Sequence, residues 1–246
     1  MAHRFEDLTV RLIQVRLKPE IEAEEYNTFL DRTGLSRHQL LATNVVKEPL
    51  DDRLLDGADA VIIGGAGAFS VTETYDWTDS LTRLVHQIHD LRTPLFGSCW
   101  GHQFIAKAFG GSVIDDAERT EIGCFSVNLT PAGRADKLFG GFPPTFMANM
   151  GHQDRVDRLP EGAIELAASS VSPYQVFRFV DRPIYGTQFH SELNAETERA
   201  RLYVYRDQYP ILHDEESFQS IISSLRRTTE VDDLLNRFLR MFALAS

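Results

Sequence analysis

At 246 residues and 43% hydrophobic, the chain can bury a full core, and a single domain with decorations is the leading expectation. Its 36 acidic against 25 basic side chains give a formal net charge of -11, which repels phosphate backbones and anionic bilayers and excludes nucleic acid and membrane surfaces as partners. Two cysteines are too few for a disulfide framework, the start MAHRFEDLTV is charged, and the longest nearly apolar run, AVIIGGAGAF, falls well short of the ~18 residues that span a bilayer, so a soluble cytoplasmic protein with reduced thiols is expected.

No internal repeat, low-complexity segment or long Pro/Gly/Ser-rich linker divides the chain. LTVRLIQVRL reads as a strand, and the acidic stretch after Pro19 reads as a helix that stops at Gly34. LLATNVV is a second strand. ADAVIIGG, a continuous apolar run ended by glycines, has the form of a central parallel strand covered on both faces. Leu81, Leu84, Val85, Ile88 and Leu91 then recur at helical spacing, and PLFGS gives a further strand. Strands alternating with helices predict an α/β fold: a doubly wound, mostly parallel central sheet with helices on both faces. After Gly111 the short strand candidates EIGCFSVNLT, PTFMANMGH, AIELAASS, YQVFRFV and RPIYGTQFH, with turn residues between them, predict added antiparallel strands. The last fifty or so residues turn helical again, with Asp214 and Thr229 as N-caps and an apolar stripe of Val231, Leu234, Leu235, Phe238, Leu239 and Phe242.

Chemistry concentrates at GSCWGHQ. The pattern G-x-C-x-G lies directly after an apolar strand and before the helical stretch HQFIAKAFGG, the setting of a nucleophile elbow. A sharp strand-to-helix turn brings together the residues two before and two after its apex, which leaves no room for a Cβ and demands Gly97 and Gly101. The helix N-terminus then favours the thiolate form of Cys99. With Gly at about 7% of residues, chance supplies this pattern around one of two cysteines about 1% of the time. Among eight histidines, His86 and His89 sit three apart on an amphipathic helix with no acidic or thiol ligand set, so no metal site is expected there. His190 ends a strand candidate and Glu192 follows two residues on, so in extended chain both project to one side and Glu192 can orient the imidazole. Alone such a pair is ordinary surface chemistry; its weight comes from coupling to Cys99. Gly64–Gly67, GGAG, supplies exposed backbone N–H groups for an oxyanion, with the Trp100 N–H as second donor. As a turn GGAG is unspecific, and it lacks the phosphate-loop pattern.

GGAG, GSCWGHQ and YGTQFHSE, in that order on strand ends, resemble the class I (triad-type) glutamine amidotransferases over about Leu8 to Glu192. The resemblance implies a flavodoxin-like class I amidotransferase domain over residues 1–193, with residues 194–246 as a helical extension packed on it. It implies Cys99 as the nucleophile on the glutamine side-chain amide, His190 as base and then acid, Glu192 as its orienter, Gly65 and Trp100 at the oxyanion hole, and Gly67 and Gln103 holding substrate. MGHQDRVDRLPEGAIELAAS resembles the S-H-x-D-x-V-x-x-L-P-x-G segment of the GMP synthase amidotransferase domain, which places Gln153 and Asp154 near the pocket. Ala66, Ser98, Ser191 and Gly151 depart from the family pattern without removing a catalytic group. No ATP-pyrophosphatase motif occurs.

The implied reaction is hydrolysis of glutamine, or of a γ-glutamyl group, through a γ-glutamyl thioester, with no cofactor and no metal. Three roles fit: a glutaminase subunit that passes ammonia to a separate synthetase, a stand-alone peptidase cleaving γ-glutamyl compounds, and a non-catalytic regulator on the same fold. The last predicts a broken triad, whereas all three residues are present.

Overall fold

The computed structural model describes residues 4–51 and 53–244. Its first half alternates as expected: β1 (Val10–Gln14), α1 (Pro19–Thr33), β2 (Leu40–Asn44), β3 (Ala60–Ile63), α2 (Thr78–Leu91), β4 (Leu95–Ser98) and α3 (Trp100–Ala108). Helix α1 opens with Pro19 at its first turn, where the missing N–H has no partner to lose, and ends at Gly34, whose φ of 71° lets its N–H close on the Leu30 carbonyl.

Antiparallel elements follow: β5 (Ser112–Asp115), β6 (Glu121–Leu129), the short α4 (Pro131–Arg134), β7 (Thr145–His152), β8 (Asp154–Arg158), β9 (Ala163–Ser169), β10 (Val176–Phe179) and β11 (Ile184–Thr187). The main sheet runs β2-β1-β3-β4-β11-β10-β9-β6-β7. Strands β2, β1, β3, β4 and β11 are parallel; β10, β9, β6 and β7 extend the sheet antiparallel. Strands β5 and β8 form a separate two-stranded ribbon that the apolar pattern does not reveal: β5 is only half-buried, and the polar run DRVDR of β8 lacks a strand's apolar signature.

Alternation along the central strands separates two cores. Leu12, Ala60, Ile62 and Phe96 face one side, packed with Phe29 of α1, while Ile13, Val61, Ile63 and Leu95 face the other, packed with Leu81, Val85 and Ile88 of α2 and Ile105 of α3. Both faces of the central strands β1, β3 and β4 are therefore dry, which fixes their register.

Beyond Thr187 the chain turns into α5 (Ala195–Val204), whose N-cap Asn194 makes a reciprocal capping box with Thr197. Helix α6 (Glu215–Ser224) begins at Asp214, whose carboxylate accepts from the Ser217 N–H as expected. Thr229 is not a cap; it is the first residue of α7 (Thr229–Asp232), which Thr228 precedes without a side-chain cap bond. The apolar stripe continues through α8 (Leu234–Phe238) and a π-helical turn at Leu239–Ala243, and Phe238 meets the Phe96 ring edge-on at 5.3 Å. The last helices thus lie under β4. No helix among the described residues is long and apolar enough to cross a membrane.

On α3, fully buried His102 packs against Gly186 of β11 and the Phe177 ring, and burial drives its pKa down to about 3. The unfolded chain binds a proton at His102 below about pH 6.5 that the folded chain refuses. Urea unfolding should therefore show stability falling as pH drops from about 6.5 toward 5, with a shallower fall in His102→Leu; equal slopes would show that His102 does not carry this term.

Candidate active site

Cys99 stands at the carboxyl end of β4, between β3 and β11, and its φ of 49° bends the chain straight from strand into helix α3. That conformation is costly for any residue with a Cβ and is held by the close packing on both sides. A Cβ on Gly97 would lie 2.6 Å from the Gly101 carbonyl carbon, and one on Gly101 would overlap the Ile63 carbonyl oxygen. The steric demand expected at these two glycines is thus present in the backbone, and the Gly101 N–H completes the contact by donating to the Gly64 carbonyl at 3.1 Å.

His190 follows β11. Its Nδ1 lies 2.8 Å from Glu192 Oε1, and the other carboxylate oxygen accepts from the Ser98 hydroxyl at 2.6 Å. Arg201 of α5 reaches Glu192 at 3.4 Å and Glu24 of α1 at 2.6 Å. Burial alone opposes charge on His190, but Cys99 and then the Glu192 and Glu198 carboxylates outweigh it and raise its pKa well above the ordinary value. Burial likewise works against the Glu192 charge, and His190, Arg201 and Ser98 overcome it, holding this carboxylate far below its usual range. An imidazolium anchored on a permanent carboxylate, in contact with a thiol at a helix N-terminus, is an arrangement for nucleophilic acyl transfer.

Two residues noted as departures from the family pattern have partners here. Ser98 steadies Glu192, and the Ser191 hydroxyl lies 2.9 Å from that of Thr187. Gln188, which stands in YGTQFHSE but receives no role from the sequence, directs its amide at Cys99 Sγ from 3.8 Å and accepts from Gln103 at 3.1 Å. Its place in that motif, two before His190 in extended chain, is the signal that could have found it.

A cavity of about 490 Å³ opens beside Cys99, walled by Gly67, Trp100, Gln103, Gln153 and Asp154 among others. Gln103 also donates to the Asp154 carbonyl, and Gln153 to Asp115 at 2.6 Å. The Trp100 indole N–H finds no acceptor among the described residues, so its ring presents a buried donor beside this cavity. At Gly67 the Tyr205 ring occupies the space a side chain would need.

Gly65 differs from the oxyanion expectation. Its N–H donates at 3.1 Å to Glu25, a fully buried carboxylate also gripped by Arg16 at 2.6 Å and Gln14 at 3.0 Å. Trp100 opens α3, so its backbone N–H has no acceptor within the helix. His86 and His89 bond to the Ala108 carbonyl and to Asp90. No group of three or more His, Cys, Asp or Glu among the described residues is arranged to hold a metal ion.

Residues 23–205 match the family described as Glutamine amidotransferase class-I. The chain is 34% identical over 151 residues to the glutamine-hydrolysing GMP synthase subunit of Thermoplasma acidophilum, covering 61% of this chain and 72% of the relative. It is 29% identical over 181 residues to the subunit of the same name from Methanothermobacter thermautotrophicus, covering 73% and 89%. Among solved structures, a glutamine amidotransferase from Thermotoga maritima has the same fold at a TM-score of 0.73 and 23% identity, over 96% of this chain and 99% of that one. Another glutamine amidotransferase, from Methylobacillus flagellatus, follows at 0.68 and 22%, over 96% and 90%.

Glu192→Gln keeps the shape beside His190 and removes the charge. The His190 pKa, followed by ring-proton NMR, is expected to fall, because a pKa-raising carboxylate has gone, and turnover to drop by about a thousandfold or more. An unchanged His190 titration would remove Glu192 from its assigned position.

Proposed function

The chain belongs to the glutamine amidotransferase class-I family, and from that premise we propose that it hydrolyses the side-chain amide of glutamine through Cys99, His190 and Glu192. The Glu192–His190 hydrogen bond of 2.8 Å, next to an elbow cysteine of positive φ, carries the reading.

The resting pair is a Cys99 thiolate and a His190 imidazolium. The sulfur attacks the amide carbon, the C–N bond breaks, and Nε2 of His190 delivers its proton to the leaving nitrogen, which departs as ammonia. Water then attacks the γ-glutamyl thioester and gives one proton back to His190. The C–S bond breaks, and glutamate leaves as the thiolate–imidazolium pair re-forms. Glu192, itself unprotonated throughout, stabilises the imidazolium and fixes the ring with Nδ1 toward it.

The Trp100 backbone N–H receives the developing oxyanion. For Gly65 to be the second donor its peptide must leave Glu25, which costs about 1.5–3 kcal/mol for a hydrogen bond to a charged group. Glutamine enters through the 490 Å³ cavity beside Cys99, where Gly67, Gln103 and Gln153 face its amino-acid end. The ammonia passes to a separate synthetase of the kind for which the GMP synthase relatives are named.

Steady-state release of ammonia and glutamate from glutamine tests the mechanism. Cys99→Ala is expected to lose activity by about a millionfold, that is, to background. Full activity in that variant would sink the mechanism. Turnover that rises on adding a synthetase would support the ammonia-passing role, and robust turnover of γ-glutamyl peptides alone would support a stand-alone peptidase instead.

A further inference from the structure

His190 does not line the 490 Å³ cavity. It lines a second, much smaller one of about 30 Å³ that shares Gly67, Cys99 and Gly151 with the first and whose other walls include Glu198, Leu202 and Tyr205 of the C-terminal segment. About 10–15 Å³ of such space holds one water molecule, so this cavity has room for a small hydrogen-bonding molecule.

Glu198 is 1% exposed, and its Oε2 has no hydrogen-bond partner among the described residues. A buried carboxyl group left unsatisfied costs more than almost any other local defect, which marks the cavity as a place where a small hydrogen-bonding molecule belongs. Position 151 makes room for it. A Cβ at Gly151 would come within 3.1 Å of Glu198 Oε1, so the serine usual in the GMP synthase-like segment would crowd this carboxyl. Burial pushes the Glu198 pKa above the ordinary range, against the lowering charges of His190 and Arg201, while Glu192 and Glu24 raise it further.

We propose that this cavity seats the water that attacks the γ-glutamyl thioester and gives its proton to His190, and that Glu198 is the positioning residue that holds it. The inference rests on the glutaminase reading and deepens it to the residue that places the attacking water.

The test follows Cys99 acylation by glutamine on the full chain, by intact-protein mass after acid quench, in wild type, Glu198→Ala and the isosteric Glu198→Gln. Both variants should acylate at near the normal rate and then hold the thioester, its breakdown slowed about a hundredfold. A residue that merely supported the fold would lower both steps together, which would overturn the positioning role. An unchanged thioester lifetime in both variants overturns it as well. If wild type neither becomes acylated nor releases ammonia while Cys99→Ala behaves identically, the glutaminase reading has failed and the seat falls with it. Cys99-dependent ammonia release with an unchanged thioester lifetime leaves that reading intact.

Discussion

The site depends on one contact between backbones. Helix α3 starts with Gly101 pressed against the carbonyl of Ile63, at the end of the neighbouring strand, and the Gly101 N–H ties down Gly64 in the same step. Because Gly101 cannot carry a side chain there without displacing the strand, the distance between Cys99 and the GGAG loop is set by main-chain packing and not by mobile side chains. The positive φ at Cys99 is the counterpart of that closeness: the chain has no gentler path from β4 into α3.

Around this rigid corner lies an unusual density of buried charge. Arg16 and Glu25, and Arg201 and Glu192, are all nearly inaccessible, and each pair has further hydrogen bonds to neutral groups such as Gln14 and Ser98. Replacing water around so many ions is expensive, and packed apolar residues of similar volume would often serve stability as well or better. Their arrangement is better explained by the site. Each brings a fixed charge or dipole near the thiol and the imidazole, where low polarisability makes it act at full strength.

The first half of the fold and the positions of Cys99, His190 and Glu192 are legible in the sequence because their signals are local. Apolar periodicity marks β3 and α2, two glycines mark the elbow, and a two-residue spacing in extended chain marks the His–Glu pair. What escapes is non-local or weakly patterned. Strand β8 is a polar stretch whose partner β5 lies some forty residues earlier. The Gly65 amide looks free because nothing near it in sequence announces Glu25, which arrives from α1. Glu198 and Arg201 lie on a helix with no strong apolar face, in a segment whose pattern suggests packing alone. Ser98 and Gly151 are visible only as departures from a pattern, and their partners become clear once Glu192 and Glu198 have positions.

The C-terminal segment also gives the site an order of assembly. Cys99 is made early in synthesis, while His190, Glu192, Arg201 and the helix that carries Phe238 beneath β4 come later. Domains collapse largely from the N-terminus as they leave the ribosome, so the central strands can form around a thiol that still lacks its imidazole partner and its covering helices. The Cys99 thiol of the nascent chain therefore stays without these neighbours until residues beyond it have been made and packed. A chain cut before His190, through premature termination or proteolysis, would leave Cys99 without the His190 imidazole, the Glu192 carboxylate and the Arg201 guanidinium around it.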